Sequence, residues 1–147
     1  IEPVALREGS FRVGHFACAL ERIGDGWWRY RNDPQGSAPS FDFNEAVTDE
    51  ALLETQSRFL QTNPASPFVQ NLVVQRWDPG GHMSLRGRVL QRSDENGRSR
   101  DLIEDADGLV RALRNHFDLD APEAARLWPQ ILARHATVFS DAPFTSH

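Results

Sequence analysis

Cysteine is almost absent from this chain. A single Cys among 147 residues excludes an internal disulfide and suits a reducing compartment, so a cytoplasmic protein is expected. Lysine is missing altogether: all 16 basic residues are arginine, scattered among 21 acids. The scatter reads as compositional bias rather than a phosphate-binding patch. At a formal charge of −5, neither nucleic acid nor an anionic membrane surface is expected as a partner. No apolar run approaches the roughly 18 to 20 residues that a membrane-spanning helix needs. Short paired Cys/His clusters are lacking too, so no metal is expected.

What is present suffices for a core. At 39% hydrophobic residues the chain has one domain's worth of sequence, or two small lobes. It opens "IEPVALREGS", without an initiator Met, and enters folded-looking sequence at once. The expectation is a piece of something longer.

The first 43 residues read as β structure. "SFRVGHFACAL" alternates as one strand, with Phe16, Cys18 and Leu20 on one face and His15, Ala17 and Ala19 on the other. "GDG" turns the chain into a second strand, "WWRYR", and "FDF" follows a loop as a short extended segment. A helix is predicted from about Thr48, capped by that threonine, with Leu52, Leu53, Phe59 and Leu60 as its apolar stripe. Asn63-Pro64 stops it, because the residue before proline is pushed out of helical φ/ψ. Phe68 to Trp77 reads as a strand, "DPGG" as a turn, and His82 to Gln91 as the returning strand. Asn96-Gly97 suits a turn with positive φ, and Arg98 to Ile103 makes a third strand. A helix over about Asp105 to His116 carries Leu109, Leu113 and Phe117 four apart. Asp120 to Glu123 resembles a capping box opening a last helix, which Pro129 kinks or divides. The class is α+β: an antiparallel β-rich first part, a linking helix, then an antiparallel meander with C-terminal helices.

Complete catalytic sets are scarce. His15 and Cys18 tempt as a base and its nucleophile. Three residues apart on one strand they point to opposite faces, and Cys18 shares its face with Phe16 and Leu20. A buried free cysteine there acts as a small hydrophobe. His82, His116, His135 and His147 do not converge and read as solvated surface. Asp101, Glu104, Asp105 and Asp107 lack the ligand spacing of a calcium loop and suit a helix N-terminus. Arg86 and Arg88 in "LRGR" either cradle a phosphate or form a solvated strand face; the second is preferred. From residues alone this is an α+β domain without a full catalytic set.

Several segments carry a resemblance. "RFLQTNPASPFVQNLVVQR", followed by a hairpin turn and "LRGRVL", is similar to the stretch of arylamine N-acetyltransferases that leaves the middle domain and enters the C-terminal lid. "FRVGHF", "GWWRY", "FDFNEA" and "DADGLVRALRNHFDLD" resemble further segments of that family in the same order. The resemblance implies acetyl transfer from acetyl-CoA to arylamines and hydrazines by a ping-pong route through a cysteine thiolate. It implies residues 1–47 as part of a β-barrel-like middle domain and 48–147 as an interdomain helix plus an α/β lid. The family's Cys, His and Asp lie upstream of the shared segments. Cys18 therefore inherits no catalytic role, and the N-terminal half of the enzyme becomes the expected partner. Phe68 alone is carried across as a site residue: after the proline break it would line the acceptor pocket, a flat wall for an arylamine to stack on. The alternative for Phe68 is a core residue of the lid, and the competing function is a free-standing, non-catalytic lid-like domain that binds a partner protein or ligand.

Overall fold

Two four-stranded antiparallel sheets, each a simple meander, carry the chain. The computed structural model describes residues 3–34, 38–46, 49–78 and 80–138. The chain divides into two compact units, Ile1–Glu50 and Ala51–His147, with one sheet in each. The α+β class expected from the sequence holds.

The first unit is built from β1 (Gly9–Val13), β2 (Phe16–Gly24), β3 (Trp27–Arg31) and β4 (Ser40–Asn44). Its first two strands correct the single strand expected over "SFRVGHFACAL". Val13 pairs with Phe16 across a two-residue turn, so His15 sits in that turn and not on a strand face. The Asp25-Gly26 turn takes φ 50° and 77°, the double positive φ that suits a right-twisted hairpin. The register places Phe11 opposite Cys18, Leu20 opposite Tyr30, and Trp28 opposite Phe43. Directly opposed residues share a face, so these side chains form one apolar face. Tyr30 stacks on Phe41 at 4.9 Å between ring centroids. The other face is ionic, with Arg29 on Asp42 at 2.7 Å and Arg31 paired to Glu21.

The second unit holds α1 (Glu50–Thr62), the single-turn α2 (Pro67–Gln70), β5 (Val73–Asp78), β6 (Gly81–Arg86), β7 (Val89–Asp94), β8 (Gly97–Leu102), α3 (Ala106–Phe117), a 3₁₀ stretch (Pro122–Leu127) and α4 (Trp128–Val138). Four sequence expectations need correction here. The strand expected over His82 to Gln91 is the hairpin β6–β7, turning at Gly87-Arg88. Phe68 lies on α2, ahead of the strand expected to begin with it. Near Asn96 only Gly97 takes positive φ. Asp120 does not cap a helix: its carboxylate accepts from Arg114, and the 3₁₀ stretch opens at Ala121 without a side-chain cap. Pro129 does fall at a helix boundary, in the first turn of α4. The expected α1 cap, Thr48, lies outside the described residues, as does His147.

One face of the second sheet builds the core. Met83 and Leu85 from β6, Leu90 from β7 and Ile103 pack with Leu109, Ala112, Leu113 and Phe117 of α3, with Ala124, and with Ile131 of α4. The α3 spacing of four expected from the sequence puts Leu109, Leu113 and Phe117 on that seam. Asp105 caps α3 by accepting the Gly108 amide. The stripe of α1 is different: none of its residues is buried. Glycine is required at Gly81, where φ is 137° and a β-carbon would collide with the Ser93 carbonyl.

Cys18 is only 4% exposed, and the Tyr30 hydroxyl donates to its sulfur at 3.0 Å. Burial first, and then this hydrogen bond, push the Tyr30 phenol up to about 12. Tyr30 is the one tyrosine of the chain, so phenolate absorbance reports on it alone. The folded chain is expected to ionise Tyr30 near pH 12, against about 10 in denaturant. Because the folded value is the higher, the stability contribution is complete below about pH 10 and is lost as pH rises through the folded value. A native titration at the unfolded value would contradict the burial of this hydroxyl.

Candidate functional site

The segment Asn63 to Asn71 folds as a closed hydrogen-bonded module around Ser66. The Asn63 amide still donates to Phe59 at 2.9 Å, ending α1, and Pro64 removes the next donor. Asn63 then accepts twice: its Oδ1 from the Ala65 amide at 2.8 Å and its carbonyl from Ser66 at 2.8 Å. Ser66 is fully buried. Its hydroxyl donates to the Leu60 carbonyl at 2.7 Å and accepts from the Phe68 amide at 3.2 Å. One hydroxyl thus closes the end of one helix and caps the start of the next. Pro67 occupies the first helical position, where its missing N–H costs nothing.

The far end of the turn is tied as firmly. Gln70 Nε2 donates back to the Pro64 carbonyl at 2.9 Å, and Asn71 Nδ2 to the Pro67 carbonyl at 2.7 Å. Asn71 Oδ1 accepts from Arg134 Nε of α4 at 3.0 Å, and Leu72 O accepts the Gly87 amide at 2.8 Å. On this frame Phe68 stands 68% exposed, with Val69 beside it. Within the chain Phe68 is not a core residue.

The other sequence candidates fall elsewhere. The His15 ring sits 4.3 Å from that of Phe16, while Cys18 contacts the Tyr30 hydroxyl and, at 3.9 Å, Asn32 Oδ1. Among the described residues no group of three or more His, Cys, Asp or Glu is placed to hold a metal ion. His82 corrects the expectation of a solvated histidine. It is 5% exposed, on the inner strand β6, with its ring 4.8 Å from that of Trp77. His116 is exposed as expected. His135 is half-buried, and burial, then the charge of Arg88, lower its pKa. Arg86 and Arg88 do not share a strand face: Arg88 lies in the β6–β7 turn, donating Nε to the Ile103 carbonyl at 3.0 Å, 5.9 Å from the Trp128 ring. Sequence reasoning missed Ser66, Asn71 and Arg134. Ser-Pro is a readable cap with proline at the first helical position; the pairing of Asn71 with Arg134, 63 residues apart, leaves no local trace.

A family model described as N-acetyltransferase matches residues 1–126. The chain belongs to this N-acetyltransferase family. Among solved structures it resembles the Mycobacterium marinum arylamine N-acetyltransferase in complex with CoA, with a TM-score of 0.72 at 22% identity, covering 92% of this chain and 50% of that one. The Mycobacterium smegmatis enzyme gives a TM-score of 0.72 at 25% identity, covering 95% of this chain and 50% of its own. For the Salmonella typhimurium enzyme the TM-score is 0.73 at 18% identity, with 89% and 51% covered. The N-acetyltransferase chain thus spans about half the length of these structural relatives. No curated protein matches it. Among the described residues no helix is long and apolar enough to cross a membrane.

Two substitutions separate frame from presented side chain. Ser66→Ala leaves the Leu60 carbonyl and the Phe68 amide without their partner and is expected to cost about 1 to 3 kcal/mol in denaturant unfolding. Phe68→Ala removes an exposed ring and should change stability by about 0.5 kcal/mol or less. A loss of roughly 3 to 5 kcal/mol on Phe68→Ala would make it a core residue after all.

Proposed function

We propose that this N-acetyltransferase chain supplies the acceptor-pocket wall of an arylamine N-acetyltransferase, with Phe68 as the ring on which the arylamine stacks. The observation that carries the reading is Phe68 itself: an aromatic side chain held out on a hydrogen-bonded turn, in a chain that matches the family over residues 1–126. A large ring left exposed forgoes about 1.5 to 3 kcal/mol of burial, which an aromatic ligand can recover. The turn fixes the backbone beforehand, so little ordering remains for binding.

In this reading the chain corresponds to the C-terminal half of the enzyme, which is consistent with its covering half of each structural relative. Residues 1–47 belong to a middle β domain and 48–147 to an interdomain helix and lid. The reaction runs from acetyl-CoA to an arylamine or hydrazine. A thiolate attacks the thioester carbonyl, a carbon–sulfur bond to the enzyme forms, and CoA thiolate leaves. The amine then attacks that carbonyl, the enzyme sulfur departs, and a base takes the amine proton. Cys18 is not that thiol. It is the one cysteine of the chain, it is buried, and it accepts the Tyr30 hydroxyl. The thiol, its His and its Asp belong to an N-terminal half that acts as the partner, and the setting is the cytoplasm.

With acetyl-CoA and an arylamine, the chain alone is expected to release CoA no faster than the blank, and Cys18 should react slowly with a thiol reagent until denatured. Turnover abolished by Cys18→Ala would overturn the assignment. The wall is tested by binding of an aromatic amine to the complex of this chain with the N-terminal half, followed by chemical-shift changes at Phe68. Phe68→Ala should weaken a bulky arylamine roughly tenfold to a hundredfold, the equivalent of one lost stacking surface, and a small hydrazine much less. Equal losses for both acceptors would remove Phe68 from the pocket.

A further inference from the structure

The turn that carries Phe68 is not held by its own residues alone. Arg134 of α4 donates Nε to Asn71 Oδ1 at 3.0 Å, and Asn71 in turn donates Nδ2 to the Pro67 carbonyl at 2.7 Å. Pro67 is the residue before Phe68, and its carbonyl also receives the Asn71 amide at 3.1 Å. An unbroken chain of hydrogen bonds therefore runs from α4 into the single turn that points the ring. The position of α4 is itself fixed. Ile131 is buried in the core of the second unit, and Arg134 follows it by three residues, on the same side of the helix. Gly87, whose β-carbon would lie 3.9 Å from Ile131, gives its amide to Leu72 O, directly after Asn71. The core residue that seats α4 thus also backs the second anchor of the turn.

We infer that Arg134 is a positioning residue for acceptor selection: through Asn71 it sets the orientation and rigidity of the Phe68 wall. This rests on the reading of Phe68 as that wall. A short helix of four residues has too few internal bonds to hold itself. Its direction depends on what grips its two ends, Ser66 at the start and Asn71 at the finish. The Ser66 end is buried, whereas the Arg134 end lies at the surface, so the second is the adjustable one. A guanidinium suits the task because its planar donors retain direction where an ammonium would not. Loosening this end should matter for a flat aromatic acceptor, which needs the ring at a fixed angle, and little for a small hydrazine.

The test uses the full chain with two readouts. Backbone order parameters at Phe68, Val69 and Asn71 should fall in Arg134→Ala, while those of the α3 backbone stay as they were; a small drop in the unfolding midpoint, the size of one hydrogen bond, accompanies this. Asn71→Asp keeps an acceptor for Arg134 and the backbone amide on Pro67 O but removes the side-chain donor to that carbonyl, and it should loosen the same amides. In the complex of this chain with the N-terminal half, Arg134→Ala should lower the affinity for a bulky arylamine roughly threefold to tenfold, in keeping with one lost hydrogen bond, and leave that for a small hydrazine unchanged. Unchanged order parameters at Phe68 and Val69 overturn the positioning role, and so does a fall shared equally by α3, which marks a general loosening of the unit. The two readings fail separately. If the order parameters respond as expected but Phe68→Ala leaves arylamine affinity of the complex with the N-terminal half unchanged, the mechanical coupling stands and the Phe68 wall itself is what is wrong.

Discussion

A buried hydroxyl must meet both a donor and an acceptor or pay for its desolvation, and Ser66 meets this constraint with two different helices. Its proton goes to the end of α1 and its lone pair to the start of α2. Because one oxygen serves both, the end of α1 and the start of α2 are tied at one buried point. Pro64 and Pro67 reinforce this from the backbone side by fixing φ at two positions within four residues. The ring and the end of α1 therefore share one anchor, which is why a surface phenylalanine can be held so firmly.

The two sheets handle their second faces differently. In the first, the face opposite the aromatic side chains is laced by Arg29 with Asp42 and Arg31 with Glu21. These pairs are exposed, and exposed pairs contribute little to stability, of order 0 to 1 kcal/mol. Their use lies in register: a slip of one residue would put the ionic face where Phe16, Cys18 and Leu20 now are. In the second sheet the helices α3 and α4 supply the cover for one face, and the register is set by Leu85 meeting Leu90 there.

The missed hairpins show what alternation does and does not say. Apolar residues stand at 11 and 13, then at 16, 18 and 20. A continuous strand would put the first pair and the last three on opposite faces. A two-residue turn reverses the chain and brings both sets to one face, with Val13 opposite Phe16. The change of parity at Gly14-His15 was therefore a hairpin signal lying open in the sequence. Met83 and Leu85 followed by Leu90 carry the same change at Gly87-Arg88. Helix α3 was legible because four-residue spacing and an Asp cap agree. The class and the coarse layout, a β-rich first part, a helix, an antiparallel meander and C-terminal helices, were legible as well. Burial of His82 was not, since it comes from cross-strand neighbours that no local pattern names.

For the candidate site, the sequence points to the ring and leaves out its support. Phe68 is visible because it follows a double proline break, and a break before an aromatic residue raises the question of what the ring faces. What holds the turn is long-range: Arg134 reaches Asn71 across 63 residues, and Gly87 reaches Leu72 from another hairpin. Neither contact has a period or a motif. Yet these contacts decide the physical character of the site, because an exposed ring on a loose loop spends its binding energy on ordering that loop. A ring on a turn gripped at both ends does not. The difference between a pocket wall and a surface residue thus lies less in Phe68 than in the side chains of Ser66, Asn71 and Arg134.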